Sequence, residues 1–350
     1  MFSITKIEGK DLGCIAQKKI KKGTLILREN PALVLADDTC EDIAFIQTLI
    51  DAYLKMDNTE KEEYLNLANK YTQYKGTGSE SDKIFIKAFT ERFENSVTIR
   101  LAKMKLTNID METAQRVYQI FETNSFHNGV CLKMSRFNHS CTSNAEYFWN
   151  TDEKIRDLRS IRNILEGEEI TVNYKGLDIQ DMNARIKVLL DFHFFCECVA
   201  CDLSEEYARN EMKKCQRFKK LKEQRMELQA AQNPHDYFMY INIKQEVECL
   251  KEMYKIAKEL KILRIKTMID SIVEPGFDAS CQGFYNLSLI KSSLPEKEQF
   301  LKDANNFASV GLQLSTMVLG GEHSTSIEWQ KRKMNPIQFF KDEWASKQGH

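Results

Sequence analysis

No stretch of the sequence approaches the run of about 20 apolar residues that a helix needs to cross a bilayer. The opening segment, MFSITKIEGK, lacks the charged, apolar and small-residue sections of a secretory leader. The ten cysteines are therefore read as those of a reducing compartment, cytoplasmic or nuclear, where metal binding is a more natural use of thiols than disulfides. An excess of charge of one sign is missing too. The 50 Lys and Arg against 51 Asp and Glu leave a formal net charge of -1, which gives no overall electrostatic case for nucleic acid. Gly-rich phosphate loops, the spaced His and Glu of zinc hydrolases and a Ser/His/Asp or reactive-Cys motif are likewise absent, which excludes the common phosphate-binding and nucleophilic chemistries. What remains is a chain of 350 residues, 42% apolar and 29% charged, expected to be soluble, globular and large enough for two or three domains.

The first 35 residues read as β structure: CIAQKKI, TLILREN and ALVLAD are short and rich in Ile, Leu and Val, with Gly23 and Pro31 between them. At Thr39 and Asp42 a capping-box signal introduces an apolar stripe of Ile43, Phe45, Ile46, Leu49, Ile50 and Tyr53 at helical spacing. Helical patterns follow at 59–74, 82–104 and 110–123, with the polar link TQYKGTGSESD at 72–82 expected to be an exposed loop. From Gly129 the pattern reverts to strands in GVCLKM, AEYFWN, KIRDLRSI and EEITVNY, with a turn at Glu166-Gly167. Strand, helix, strand on this scale predicts an insertion. After Cys201 the chain reads as helix, broken at Asn233-Pro234 and around Glu274-Pro275-Gly276, with no clean repeat. Two basic clusters, Lys18 to Lys22 and Lys213 to Arg225, are expected to be a solvated hairpin tip and a solvated helix face; the second could also serve an acidic partner.

The strongest chemical signal is Cys196-Glu197-Cys198-Val199-Ala200-Cys201. Thiolates spaced in this way can turn onto one soft cation, and zinc takes four tetrahedral ligands. Glu197 and its polar neighbours make poor companions for cysteines packed as small hydrophobes, and no βαβ context supports a redox pair. Spacing alone does not choose the fourth ligand among Cys14, Cys40, Cys131, Cys141, Cys215, Cys249 and Cys281. Cys141 stands out by its neighbours, because it closes the polar run Phe137-Asn138-His139-Ser140-Cys141 between two β-like segments.

Taken in order, NHSCTSN, GEEITVNY and FHFFCECVAC resemble the paired core motifs and cysteine-rich post-SET segment of SET-domain protein lysine methyltransferases, most closely those of the SMYD branch. The likeness covers about 1–35 and 107–201, and LGGEHSTS resembles a loop of the SMYD helical-repeat domain. It implies an α+β fold in which a β-rich, knot-like SET core (1–35 and 107–191) is split by a helical insertion (36–106). A zinc-binding post-SET segment (192–205) and an all-helical C-terminal domain (206–350) follow. It further implies a structural zinc on Cys141, Cys196, Cys198 and Cys201, and an S-adenosylmethionine site formed by Lys10, Gly13, Asn124, Ser135, Asn138, His139, Tyr174 and Phe194. Tyr174 is the implied catalytic residue, and Phe126 and Phe192 are the implied walls of a lysine channel. The implied partner is a protein or peptide presenting a lysine, histone or non-histone, with no direct contact to nucleic acid or membrane, and the protein itself is taken as a monomer.

Four departures from the SMYD pattern stand out. Asp11 replaces the first glycine of the usual Gly-x-Gly, and Leu12 stands where a basic residue is common. Phe192 stands where the branch commonly has tyrosine, which removes a hydroxyl and predicts room for a second or third methyl. The MYND zinc module is missing: residues 36–106 hold one cysteine, Cys40, and no histidine. The competing readings are a degenerate SET-fold interaction module that retains zinc and a zinc-stabilised helical scaffold unrelated to methylation.

Overall fold

The computed structural model describes residues 1–35, 43–71, 80–104, 106–126, 129–150, 152–153, 155–174, 182–190, 192–201, 206–231, 239–260, 265–289 and 295–348. The capping signal at Thr39 and Asp42, Cys40, most of the link at 72–82 and the Asn233-Pro234 break lie outside them. Short segments rich in Ile and Leu set the N-terminal strands. A first strand not singled out from the sequence, β1 (Phe2–Ile7), pairs antiparallel with β2 (Asp11–Ala16), Ile7 facing Asp11 across the turn. Strands β3 (Leu25–Glu29) and β4 (Leu33–Val34) follow on the far side of the Gly23 turn, where φ is +83°.

Four helices then leave the sheets: α1 (Ile43–Lys55), α2 (Asn58–Leu65), α3 (Glu80–Ala102) and α4 (Met111–Asn124). In α1 the expected stripe is buried at Phe45, Ile46, Leu49, Ile50 and Tyr53, against Val117, Tyr118, Ile120 and Phe121 of α4 and the strand residue Leu33, whereas its first member, Ile43, is exposed at the start of the helix. Helix α2 is shorter than its sequence pattern, starting from a capping box between Asp57 and Glu60 and stopping at Leu65. Residues 66–71 instead run as a strap whose carbonyls are held by side chains: Arg136 Nη1 donates to Asn66 O at 2.9 Å, Asn124 Nδ2 to Ala68 O at 2.7 Å, and His193 Nδ1 lies 2.7 Å from Lys70 O.

The chain returns through β5 (Ser125–Phe126) and β6 (Gly129–Val130), the latter shorter than the strand read into GVCLKM because a 3-10 turn begins at Met134. Then come β7 (Asn138–His139), β8 (Ala145–Asn150), β9 (Ile155–Ser160) and β10 (Glu169–Val172). They complete three sheets, ordered β1-β2-β10-β7, β3-β9-β8 and β4-β6-β5. One pairing decides the site. Strand β7 runs parallel to β10, with Asn138 beside Thr171 and His139 beside Val172, so two motifs some 30 residues apart in sequence become neighbours. Asn144, 1% exposed, fastens this edge: its Nδ2 donates to Glu169 O at 2.8 Å and its Oδ1 accepts from Thr171 N at 2.8 Å.

A helix that the sequence pattern did not single out, α5 (Met182–Leu190), precedes the cysteine segment. Beyond it the chain is helical as expected, in α6 (Glu206–Ala230), α7 (Met239–Leu260), α8 (Ile265–Met268), α9 (Glu274–Leu289), α10 (Pro295–Leu319), α11 (Ser324–Met334) and α12 (Pro336–Gln348). The break expected at Glu274-Pro275-Gly276 is absent: a π-helical turn, Ile269–Val273, joins α8 directly to α9. Widening the turn just before Pro275 accommodates a residue that lacks an N–H, and Gly276 lets the Phe307 ring of α10 lie where a Cβ would be only 2.5 Å from it. The basic face of α6 is met by acids of α7, in Lys214–Glu259 at 2.7 Å, Arg217–Glu252 at 2.7 Å and Arg225–Glu246 at 3.2 Å. The LGGEHSTS loop seats this region on the β core, since Ser324 donates through N and Oγ to Asp152 at 2.9 and 2.8 Å. No helix among the described residues is long and apolar enough to cross a membrane.

Candidate functional site: a four-cysteine cluster beside an aromatic and amide group

The four cysteines lie at the junction of the β core and the C-terminal helices. Cys141 follows β7, the other three follow α5, and all pack against the helical core. Their sulfurs lie within 4.8 Å of one another, with Cys141 Sγ 3.9 Å from Cys196 Sγ and 3.6 Å from Cys201 Sγ. Four sulfurs each about 2.3 Å from a common centre stand about 3.8 Å apart in a tetrahedron, so these spacings fit zinc, and they are far too long for disulfides. Among the described residues, Cys141 is the cysteine brought to the other three, and the four could hold one metal ion. Cys14 and Cys131 are wholly buried elsewhere, and burial pushes both thiols up to about 12, where they stay protonated.

His139 joins this cluster to Tyr174. Its Nδ1 lies 3.1 Å from the Tyr174 backbone N–H, which can only donate, so Nδ1 is an acceptor. The ring proton of the neutral imidazole then sits on Nε2, 3.4 Å from Cys141 Sγ, where it can donate to a thiolate. Both ring nitrogens of His139 are thus committed. Its ring also packs against Tyr174 at 5.3 Å and Phe194 at 5.7 Å between centroids, and Tyr174 meets Phe192 at 5.3 Å.

The Tyr174 hydroxyl donates to Phe137 O at 3.1 Å. Burial, helped by the nearby Glu169 charge, pushes it above the ordinary phenol range. A neutral phenol whose proton is committed to a carbonyl offers only its oxygen lone pairs to anything else nearby. Next to Tyr174, Asn173 is 5% exposed and its Oδ1 has no hydrogen-bond partner among the described residues, an acceptor that the sequence reading did not flag.

On the other side of His139 lies a polar group. Asn138 Nδ2 donates to Leu12 O at 3.1 Å and to Glu169 Oε1 at 2.9 Å, and Lys10 Nζ donates to Glu169 Oε2 at 2.6 Å. Gly13 underlies the group, where a Cβ would sit 2.5 Å from Asn138 Nδ2, 3.2 Å from Glu169 Oε1 and 2.3 Å from Ile7 Cδ1. Gly13→Ala is therefore expected to push Asn138 out of place and to destabilise the fold by about 1–3 kcal/mol, measured as a lower urea midpoint. Asp11 shows why one glycine of the pair was replaceable. It keeps φ at +72°, a left-handed conformation that Asp tolerates better than most residues, so the hairpin retains its shape.

Of the residues read from the sequence, the structure gathers Lys10, Gly13 and Asn138 on one side, and His139, Tyr174, Phe192, Phe194 and the four cysteines on the other. Three have other contacts. Asn124 Nδ2 donates to Ile120 O at 2.8 Å as well as to Ala68 O, and Ser135 Oγ donates to Cys131 O at 2.6 Å. Phe126 meets Tyr147 at 4.7 Å and carries the Arg156 guanidinium 5.5 Å from its ring. Glu169 and Asn144 were missed, although both lie inside motifs already quoted; their roles depend on which strand lies opposite.

Residues 11–175 match the SET domain family, from the first residue of β2 to the one after Tyr174. The chain carries a SET domain. It is similar to a SET domain-containing protein of Acanthamoeba polyphaga mimivirus, 27% identical over 214 residues that cover 60% of this chain and 81% of the viral one. It is also similar to the histone-lysine N-methyltransferase set5 of Schizosaccharomyces pombe, 26% identical over 60% of this chain and 53% of the yeast protein. A shorter match, 30% identical, joins it to the mouse histone-lysine N-methyltransferase SMYD3 over 23% of this chain and 18% of that protein. The chain thus has lysine methyltransferases among its relatives, and besides its SET domain it has a helical C-terminal region and a four-cysteine cluster whose spacings fit zinc.

Proposed function

We propose that the protein is an S-adenosylmethionine-dependent protein lysine N-methyltransferase, SMYD-like but without a MYND module. The observation that carries this is the convergence of Asn138, His139, Tyr174, Phe192, Phe194 and the four cysteines around one short parallel pairing of β7 with β10. Cys141, Cys196, Cys198 and Cys201 would hold a structural zinc, which when bound ties the cysteine segment to the core and leaves no open position for water. In this reading Lys10, Gly13, Asn138, His139, Tyr174 and Phe194 form the donor site, while the side chains of Asn124 and Ser135 keep their hydrogen bonds to neighbouring carbonyls. With its ring nitrogens committed, His139 would meet the donor through its main chain, and Phe194 offers a flat apolar face for the adenine.

In the reaction the neutral amine of a substrate lysine attacks the methyl carbon. The N–C bond forms as the S–C bond breaks, S-adenosylhomocysteine leaves, and the amine sheds a proton to solvent. The Tyr174 oxygen, with its own proton given to Phe137 O, accepts an N–H of the incoming amine and so aims the nitrogen lone pair at the methyl. The apolar walls supplied by Phe192 and Phe126 favour the uncharged amine. Because Phe192 brings no hydroxyl into that channel, room remains for a methylated amine to turn and react again. Incubation with labelled donor and a mixed set of histone and non-histone proteins, followed by hydrolysis, is expected to give di- and trimethyl-lysine. Phe192→Tyr is expected to shift the product towards monomethyl-lysine. Wild-type protein yielding only the monomethyl form would contradict the role given to Phe192, and no methyl-lysine at all would contradict the function.

A further inference from the structure

The amino-acid end of the donor is a zwitterion, so its site must offer a cation to the carboxylate and acceptors to the ammonium. Lys10, Asn138 and Glu169 stand together beside Gly13 and supply both. The orientation of the Asn138 amide follows from chemistry: its two partners, Leu12 O and Glu169 Oε1, only accept, so Nδ2 faces them and Oδ1 is turned the other way. That oxygen has no hydrogen-bond partner among the described residues. Were Glu169 absent, only the longer 3.1 Å bond to Leu12 O would restrain the amide from flipping, and Lys10 Nζ would lose its 2.6 Å partner. Glu169 itself is held: its side chain is 18% exposed, it lies on β10 between Glu168 and Ile170, and its backbone carbonyl accepts from Asn144.

We propose that Glu169 is a positioning residue for donor recognition. One carboxylate oxygen fixes Asn138 with its carbonyl oxygen presented to the donor's ammonium, and the other holds Lys10 at the place where the donor's carboxylate arrives. This rests on the donor site proposed above and deepens it, since it assigns the amino-acid end of the ligand to one corner of the SET core and makes that corner depend on a residue that need not touch the ligand. The retained Gly13 has the same explanation, because any side chain there would displace the Asn138–Glu169 pair.

Two ligands separate this role from a merely structural one: S-adenosylhomocysteine, which carries the amino-acid group, and 5'-methylthioadenosine, which lacks it. In calorimetric titrations of the zinc-loaded protein, Glu169→Ala is expected to weaken S-adenosylhomocysteine binding about 10- to 100-fold, the range of a charge-assisted hydrogen bond, and to leave methylthioadenosine within about twofold. Glu169→Gln, whose amide oxygen can still accept from Asn138, is expected to lose less than the alanine variant, and it carries the test should that variant fail to fold. Equal losses for both ligands, or none for either, would overturn the proposal while the donor site stands. Failure of the wild-type protein to bind S-adenosylhomocysteine would remove the donor site and the proposal together.

Discussion

Tyr174→Phe is expected to lower kcat about 100- to 1,000-fold, the size of effect seen when one preorganised polar contact is removed from a reacting centre. Donor affinity should change little, because the ring contacts of Tyr174 with His139, Phe192 and Phe194 survive the substitution. Stability should fall by about 1 kcal/mol, since Phe137 O loses its donor. The pH profile carries further information. Burial raises the Tyr174 hydroxyl above the ordinary phenol range, so it remains protonated throughout a normal assay range. The rate should therefore rise with pH as the substrate amine loses its proton, with no limb assignable to Tyr174, in both wild type and variant. Single-turnover kinetics from neutral pH up to about 10, the reference pKa of a phenol, would check this. A limb that disappears in the variant would mean that Tyr174 acts as a base.

Stripping the metal should have the second large effect. Structural zinc sites contribute on the order of 10 kcal/mol in small zinc domains. Here the cysteines also join the β core to the helical core, because Cys141 and Ala200 pack with residues of the C-terminal helices. Chelation, or Cys141→Ser, is therefore expected to release about one zinc per chain and lower Tm by roughly 10 °C or more. It should also abolish donor binding, since His139 is held by Cys141 on one side and Tyr174 on the other. Elemental analysis with a melting curve tests the first part and calorimetry the second. Metal-free protein that binds the donor normally would show that the four cysteines do not support the site.

Much of this arrangement was legible in the sequence because it is carried by local signals. Short segments rich in apolar residues marked β3, β8, β9, β10 and the end of β2, helical spacing marked α1, and the clustered cysteines with the Asn-His motif marked the site. Long-range pairing was not legible. Glu169 reads as an ordinary charged residue of a strand until β7 is laid beside β10 and Lys10 comes over from the β1–β2 turn. Asn144 reads as a polar turn residue until its amide is seen to fasten the Glu169 and Thr171 backbone. Local signals misled where tertiary packing overrode them. Pro275-Gly276 looked like a loop, yet Phe307 and the preceding π-helical turn carry the helix through. The strap at 66–71 continued a helical pattern, but side chains from three other segments hold its carbonyls.

The most direct test of this account is calorimetric titration of purified, zinc-loaded protein with S-adenosylmethionine. Saturable binding at about one site per chain, lost in Asn138→Ala, is the result expected if the corner formed by Lys10, Gly13, Asn138 and Glu169 receives the donor. No binding to folded, zinc-loaded protein would contradict it, and would leave a SET fold kept for protein interaction.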